Sequence, residues 1–242
     1  MEFVQLVSNV ARTRGTGVIA LAIGMTLVFL AVPRSGATLV SLPAPIAIFQ
    51  LERGQTLTPQ RLLEIEESLR EALKYDVYTA ELNTQLSFLS LHRLLLKDRS
   101  NASREEFQTV LRNVETALKR RPLDAYLWTR YTHLSYLLDG LSPYTLAGLD
   151  RSFRYGSKEM QLFQFRMTLC LEEWEKLPPA LREASREQIE FGASHTTIWG
   201  YILADLNETA RIRLLSFLAS TSADVERAQR VENSVRRARS TN

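Results

Sequence analysis

The stretch ALKRRPLDAYLWTRYTHLSYLLDGLSPYTLAGLDRSFRYGSKEMQLF, residues 117–163, decides the fold. Pro122 closes one helix, Trp128 opens the next, Gly140 stops it, and Ser142-Pro143 starts a third. Each signal has a local cause. Proline lacks the N–H that a helix interior needs, glycine suits the residue just past a helix end, and Ser-Pro supplies a cap and a first helical residue. The spacing predicts helical hairpins, with Tyr131 and Leu134 continuing the inward face that Trp128 begins. The pattern also recurs. A shift of 35 residues puts Ser152, Ser157, Glu159 and Phe163 where Ala117, Pro122, Asp124 and Trp128 stand. A shift back by 45 puts Ala72, Val77, Leu82 and Leu86 at Ala117, Pro122, Leu127 and Tyr131, the longer interval being taken up by a polar loop at 97–102.

A small residue near a helix end, a proline and then a large aromatic is the order of a tetratricopeptide repeat. Over residues 59–175 the chain resembles that superfamily, with Ala117, Pro122 and Trp128 as the matching positions. Gly148 stands where a large apolar residue is expected, and Gly140 ends its helix early. The fold class implied is all-α, stacked helical hairpins of a degenerate tetratricopeptide-like kind, after one N-terminal transmembrane helix.

Composition agrees with helix throughout. The 242 residues are 45 % hydrophobic and 24 % charged, with 10 glycines, 8 prolines and a formal charge of +3. No long stretch alternates with period two, as a half-buried sheet would require. The charges are mixed along the chain, without the clustered basic face that nucleic-acid binding needs.

Upstream, GTGVIALAIGMTLVFLAV, residues 15–32, has no charged side chain. Eighteen helical residues cover about 27 Å, close to a hydrocarbon core of about 30 Å. A transmembrane helix is expected over 15–32, ended by Pro33-Arg34. Arg12 and Arg14 place the short segment 1–14 in the cytoplasm. A cleaved signal peptide is the competing reading, with Ser35-Gly36-Ala37 as the small-residue site. Residues 33–57, with Pro43 and Pro45, are expected to be an extended linker lying on the domain or on the bilayer surface. Thr58-Pro59 then opens a helical repeat domain over 58–222. Within it Ser103-Arg-Glu-Glu106 is a capping box, Pro178-Pro179 breaks one helix and starts another, and a basic helix or tail follows over 223–242.

Catalytic signals are sparse. His92, His133 and His195 lie far apart, with no second ligand at helical spacing. Cys170 sits in an apolar run, the setting of a buried thiol rather than a nucleophile. Glu172, Glu173 and Glu175 could form a carboxylate pair of glycosidase type, but acids at a helix end are the ordinary solvated face. There is no phosphate loop and no nucleophile elbow. No catalytic residue, cofactor or metal is expected, and the chain reads as a non-enzyme. Binding is the better expectation, because aromatics crowd residues 126–165. Tyr126, Arg130, Tyr136, Arg151 and Tyr155 are the candidate partner-binding residues, aromatic area with charged groups beside it.

Residues 117–191 also resemble membrane-anchored bacterial repeat proteins associated with exopolysaccharide or O-antigen assembly, through Pro122, Trp128, Gly156, Arg166, Trp174, Leu181 and Arg182. That resemblance implies a single-pass inner-membrane protein with most of the chain periplasmic. It would be a scaffold for an integral-membrane component of polysaccharide assembly, without nucleic acid. Two alternatives stand beside it. One is a glycan-binding or glycan-active helical protein. The other is an organelle import or trafficking receptor with its repeats in the cytosol.

Overall fold

Six of the described helices begin where a side chain satisfies one of the first free N–H groups. Thr58 Oγ1 accepts from Arg61 N at 3.2 Å, and Pro59 opens α3. Ser103 Oγ accepts from Glu106 N while Glu106 Oε2 accepts from Ser103 N, so the expected capping box closes in both directions. Asp124, Ser142, Asn207 and Asp224 cap later helices in the same manner. The computed structural model describes residues 2–53, 55–75, 80–96, 103–221 and 224–240, with only the backbone for 2–20, 30, 52 and 238–240. Among them there is no strand. Twelve α-helices are joined by short turns and two single-turn 3₁₀ segments. The polar loop expected at 97–102, and Val77 in the first repeat, lie outside the described residues.

The chain divides into two units, residues 1–96 and 97–242, so the division falls inside the 58–222 range read from sequence as one domain. Unit 1 holds α1 (Glu2–Ser41), α2 (Pro43–Glu52), α3 (Pro59–Tyr75) and α4 (Ala80–Leu96). Its core joins Ala37, Ala44 and Ala47 to Leu62, Ile65, Leu69 and Leu86. Glu66 is wholly buried among them and accepts from Arg93 Nε at 2.6 Å and Arg70 Nη2 at 3.0 Å, which ties α4 to α3.

Two expectations for this unit change. α1 does not end at Pro33-Arg34 but runs through them to Ser41, with Pro33 inside the helix. The segment 33–57 is not an extended linker, because α1 and α2 occupy most of it. Pro43 and Pro45 fall in the first turn of α2, where N–H groups have no intrahelical acceptor, so their missing donors cost nothing there. Among residues with described side chains, Leu21–Ser41 is long and apolar enough to cross a membrane, by length and composition. Residues 15–20 of the expected 15–32 span have only their backbone described.

Unit 2 holds α5 (Arg104–Arg120), α6 (Ala125–Asp139), α7 (Pro143–Gly156), α8 (Phe163–Glu172), α9 (Pro179–Phe191), α10 (Thr196–Asp205), α11 (Glu208–Ala219) and α12 (Val225–Ser240). Helices two apart pack together along the unit, α6 on α8, α7 on α9, α8 on α10, α9 on α11 and α10 on α12. The core runs from Leu149 and Phe153 through Phe163, Met167 and Leu171 to Trp199, Leu203, Leu214 and Leu218.

A close seam lies between α6 and α7, and small residues make it. A Cβ on Gly148 would stand 2.7 Å from Thr132 Oγ1, and one on Gly156 2.5 Å from Ala125 Cβ. Thr129 Oγ1 and Ser152 Oγ lie 2.5 Å apart within the seam. Trp128 is therefore not the buried opening of this face. It is half-buried at the rim, its Nε1 donating to Pro122 O at 2.7 Å and its ring covered by Arg151 at 4.5 Å. Tyr131 is likewise half-buried, while Leu127 and Leu134 are fully buried.

The C-terminal basic segment forms α12, docked on α10. Gly200 lets the two close, since a Cβ there would lie 2.4 Å from Val231 Cβ. Glu232 is buried and accepts from Arg211 Nε at 2.8 Å and Arg236 Nε at 3.0 Å.

Candidate functional site

Arg166 organises the floor of unit 2. It is wholly buried, and it donates to a hydroxyl and two backbone carbonyls. Its Nε donates to Ser152 Oγ at 2.7 Å, Nη1 to Gly156 O at 2.7 Å and Nη2 to Ser152 O at 2.6 Å. These acceptors sit in the last turn of α7, where unpaired carbonyls make the helix end negative. The charge is thus met by a helix terminus. Burial pulls the guanidinium down to about 10 from its ordinary 12.5, with the Cys170 thiol and Glu159 acting the other way. Cys170 is also fully buried, and burial pushes its thiol up to about 12. Arg166 thereby ties α8 to the end of α7.

Above this floor a cleft of about 370 Å³ opens between α7 and α9. One wall carries Asp150, Arg154 and Lys158, and the other Ala184, Gln188 and Phe191. Arg154 pairs with Asp150 at 3.1 Å, and the Lys158 ammonium lies 5.7 Å from the centre of the Phe191 ring. Gln188 is 2 % exposed; its Nε2 donates to Ser157 O at 3.1 Å, but its Oε1 is buried with no hydrogen-bond partner. A buried acceptor left unpaired costs about 1–3 kcal/mol. The volume suits one or two side chains, and the walls mix apolar surface with both signs of charge.

The candidate residues read from sequence lie nearby but not in one groove. Tyr126 and Tyr155 share a shallow hollow with Pro122 and Glu159, where α6 begins and α7 ends. Tyr126 Oη bonds Gln161 Oε1 at 2.6 Å and Glu159 Oε2 at 3.2 Å. Arg151 lies one turn before Tyr155 and covers Trp128. Arg130 is half-buried one turn beyond Tyr126. Tyr136 lies at the other end of α6 and donates to Glu173 Oε1 at 2.8 Å. Gln188 was missed in the sequence because α9 reads as a charged helix. The available signal was its place on the Leu181, Ser185, Ile189 face, where a polar residue must be buried.

The acidic trio does not converge. Glu172 Oε1 faces Asn207 N at 3.4 Å, Glu173 holds Lys176 and Tyr136, and Glu175 accepts from Arg213 Nη2 at 2.7 Å. Lys176 first, then Tyr136, holds the Glu173 carboxyl below its ordinary range, opposite to what a general acid at neutral pH needs. Among the described residues, no group of three or more His, Cys, Asp or Glu side chains is placed to hold a metal. His133 stacks on Phe165 at 4.2 Å and His92 on Phe88 at 6.3 Å, and His195 sits beside Ser194. No family model, no curated protein and no solved structure matches this chain.

Proposed function

We propose that the chain is a membrane-anchored helical adaptor that docks a protein partner in the cleft between α7 and α9. The observation that carries this reading is the cleft of about 370 Å³ between α7 and α9, walled by Phe191, Lys158 and Arg154. A peptide segment supplies an apolar side chain for Phe191 and a charge for the walls. The helix Leu21–Ser41, long and apolar enough to cross a bilayer, supports attachment to a membrane. Attachment raises the local concentration of any partner in the same membrane. The packing of helices two apart in unit 2 supports a degenerate repeat stack of tetratricopeptide-like type.

The setting we propose comes from the likeness of residues 117–191 to polysaccharide-assembly repeat proteins. It is a bacterial inner membrane, with most of the chain periplasmic and an integral-membrane component of envelope polysaccharide assembly as partner. The test is to fill the cleft. Ala184→Trp in the tagged full-length chain should abolish recovery of the partner from mildly solubilised membranes while the tryptophan-monitored melting of unit 2 is kept. Undiminished recovery with the cleft filled overturns the docking site.

A further inference from the structure

Residues 35–51, SGATLVSLPAPIAIFQL, contain no charged side chain. They make the end of α1 and nearly all of α2. Here size and burial run the wrong way for a helix in water. Ala37, Ala44 and Ala47 are buried in the core of unit 1, whereas the larger Leu39, Leu42, Ile46 and Phe49 are 51–68 % exposed. A helix at a protein–water boundary buries its large apolar residues and exposes polar ones. α2 is apolar on both faces, with its small residues turned to the protein.

Leu39, Leu42, Ile46 and Phe49 are spaced three, four and three apart, so they form one stripe. Leu27, Val28, Phe29 and Val32 of α1 are exposed as well. Ten residues of α2 extend about 15 Å, roughly half a hydrocarbon core, so α2 is too short to cross a membrane. The charged residues flanking the uncharged stretch are Arg34 before it and Glu52-Arg53 after it. Arg34 is exposed before it, and the Arg53 guanidinium lies 4.1 Å over the Phe49 ring after it. A long cationic side chain with its stem along apolar surface and its head in water is the arrangement found at a lipid boundary.

We infer that α2 is a second membrane contact. It lies along the bilayer surface with Leu42, Ile46 and Phe49 in the headgroup–acyl boundary, and Arg34 and Arg53 sit at the phosphate level. The inference rests on the reading of α1 before Pro33-Arg34, the uncharged residues 15–32, as the membrane anchor, which leaves Arg34 at its edge. It adds that unit 1 is seated on the membrane at two places and does not swing on a single tether.

The test uses the full chain in vesicles of phosphatidylethanolamine and phosphatidylglycerol. An environment-sensitive fluorophore is placed singly at Leu27→Cys, Ile46→Cys, Phe49→Cys or Glu64→Cys, the native Cys170 being buried and unlabelled in the folded protein. Quenching by shallow and deep spin-labelled lipids and by aqueous iodide is compared. The inference predicts loss of Ile46 and Phe49 emission to the shallow lipid label, loss of Leu27 emission to the deep label, and loss at Glu64 to iodide alone. Leu27 quenched by lipid with Ile46 and Phe49 quenched by iodide overturns the inference and leaves the anchor standing. Protection of Ile46 and Phe49 from every quencher also overturns it, because the stripe is then covered by protein, a second copy or a partner helix. A Leu27 label that lipid does not quench removes the anchor, and the inference with it.

Discussion

Gly148→Ala sets two opposed effects against each other at one atom. Gly148 lies inside α7, where alanine is better than glycine by about 1 kcal/mol through helix propensity alone. The added methyl, however, would stand 2.7 Å from Thr132 Oγ1 and 2.8 Å from Tyr131 Cδ1. Thr132 is itself held, its Oγ1 donating to Trp128 O at 2.8 Å. Relief therefore requires α6 and α7 to separate by several tenths of an ångström, which also stretches the contact between Thr129 and Ser152. Overpacking costs about 1–3 kcal/mol, and a clash with two side chains at once puts this site at about 1.5–3 kcal/mol. The net expectation is destabilisation of roughly 0.5–2 kcal/mol, or a melting temperature lower by about 2–8 °C for a unit of this size. Gly148→Val adds two more methyls and gives up most of the propensity gain, so it should be worse. The three tryptophans, Trp128, Trp174 and Trp199, all lie in unit 2, so their emission reports this unit without interference from unit 1. A Gly148→Ala protein that melts at or above the wild-type temperature would mean that α6 and α7 are not in close contact, and the seam described here would be wrong.

Four further outcomes follow from the same geometry. Trp128→Ala removes a half-buried ring and one hydrogen bond, so chemical denaturation should show a loss of roughly 1.5–2.5 kcal/mol, about half that of a fully buried tryptophan. Arg166→Lys keeps a charge but loses the planar fork that reaches Ser152 and Gly156 together; urea titration should show a loss of about 2–4 kcal/mol. Cys170 has its thiol raised to about 12 from an ordinary 9.0, so folding favours its protonated form. That contribution is complete below pH 9 and is lost as the pH rises toward 12, hence wild type should lose melting temperature faster than Cys170→Ala between pH 9 and 11. Glu66→Ala removes the buried carboxylate that joins Arg93 of α4 and Arg70 to α3, and hydrogen exchange should show easier opening of α3 and α4 by about 1.5–3 kcal/mol.

What the sequence revealed and what it hid divide by range. The capping box at Ser103–Glu106 and the Ser142-Pro143 start were legible because both partners lie within three residues. The α2 prolines were legible as residues but not in their effect. The same proline that breaks a helix interior is harmless in the first turn, and nothing local marked Leu42 as the residue before one. Trp128 was read as core by its size, yet the seam needed small residues, and a pair such as Gly148 and Thr132 is set only once two helices cross. Buried Glu66, Arg166 and Glu232 were hidden because each is matched by partners elsewhere in the chain. The α7–α9 cleft depended on two helices whose facing residues are about thirty positions apart, and only the polar Gln188 at an apolar register position hinted at it.

The central claim, a partner held in the α7–α9 cleft of a membrane-attached chain, is tested most directly by site-specific photocrosslinking in intact membranes. A photoreactive residue would replace Ala184 or Lys158 in the cleft, and Arg112 on α5 as the control. The account predicts one covalent adduct with the same integral-membrane protein from both cleft positions, absent from the control and abolished when Gln188 is changed to Leu in the same chain. Adducts of equal yield at Arg112, or none from either cleft position, would contradict it.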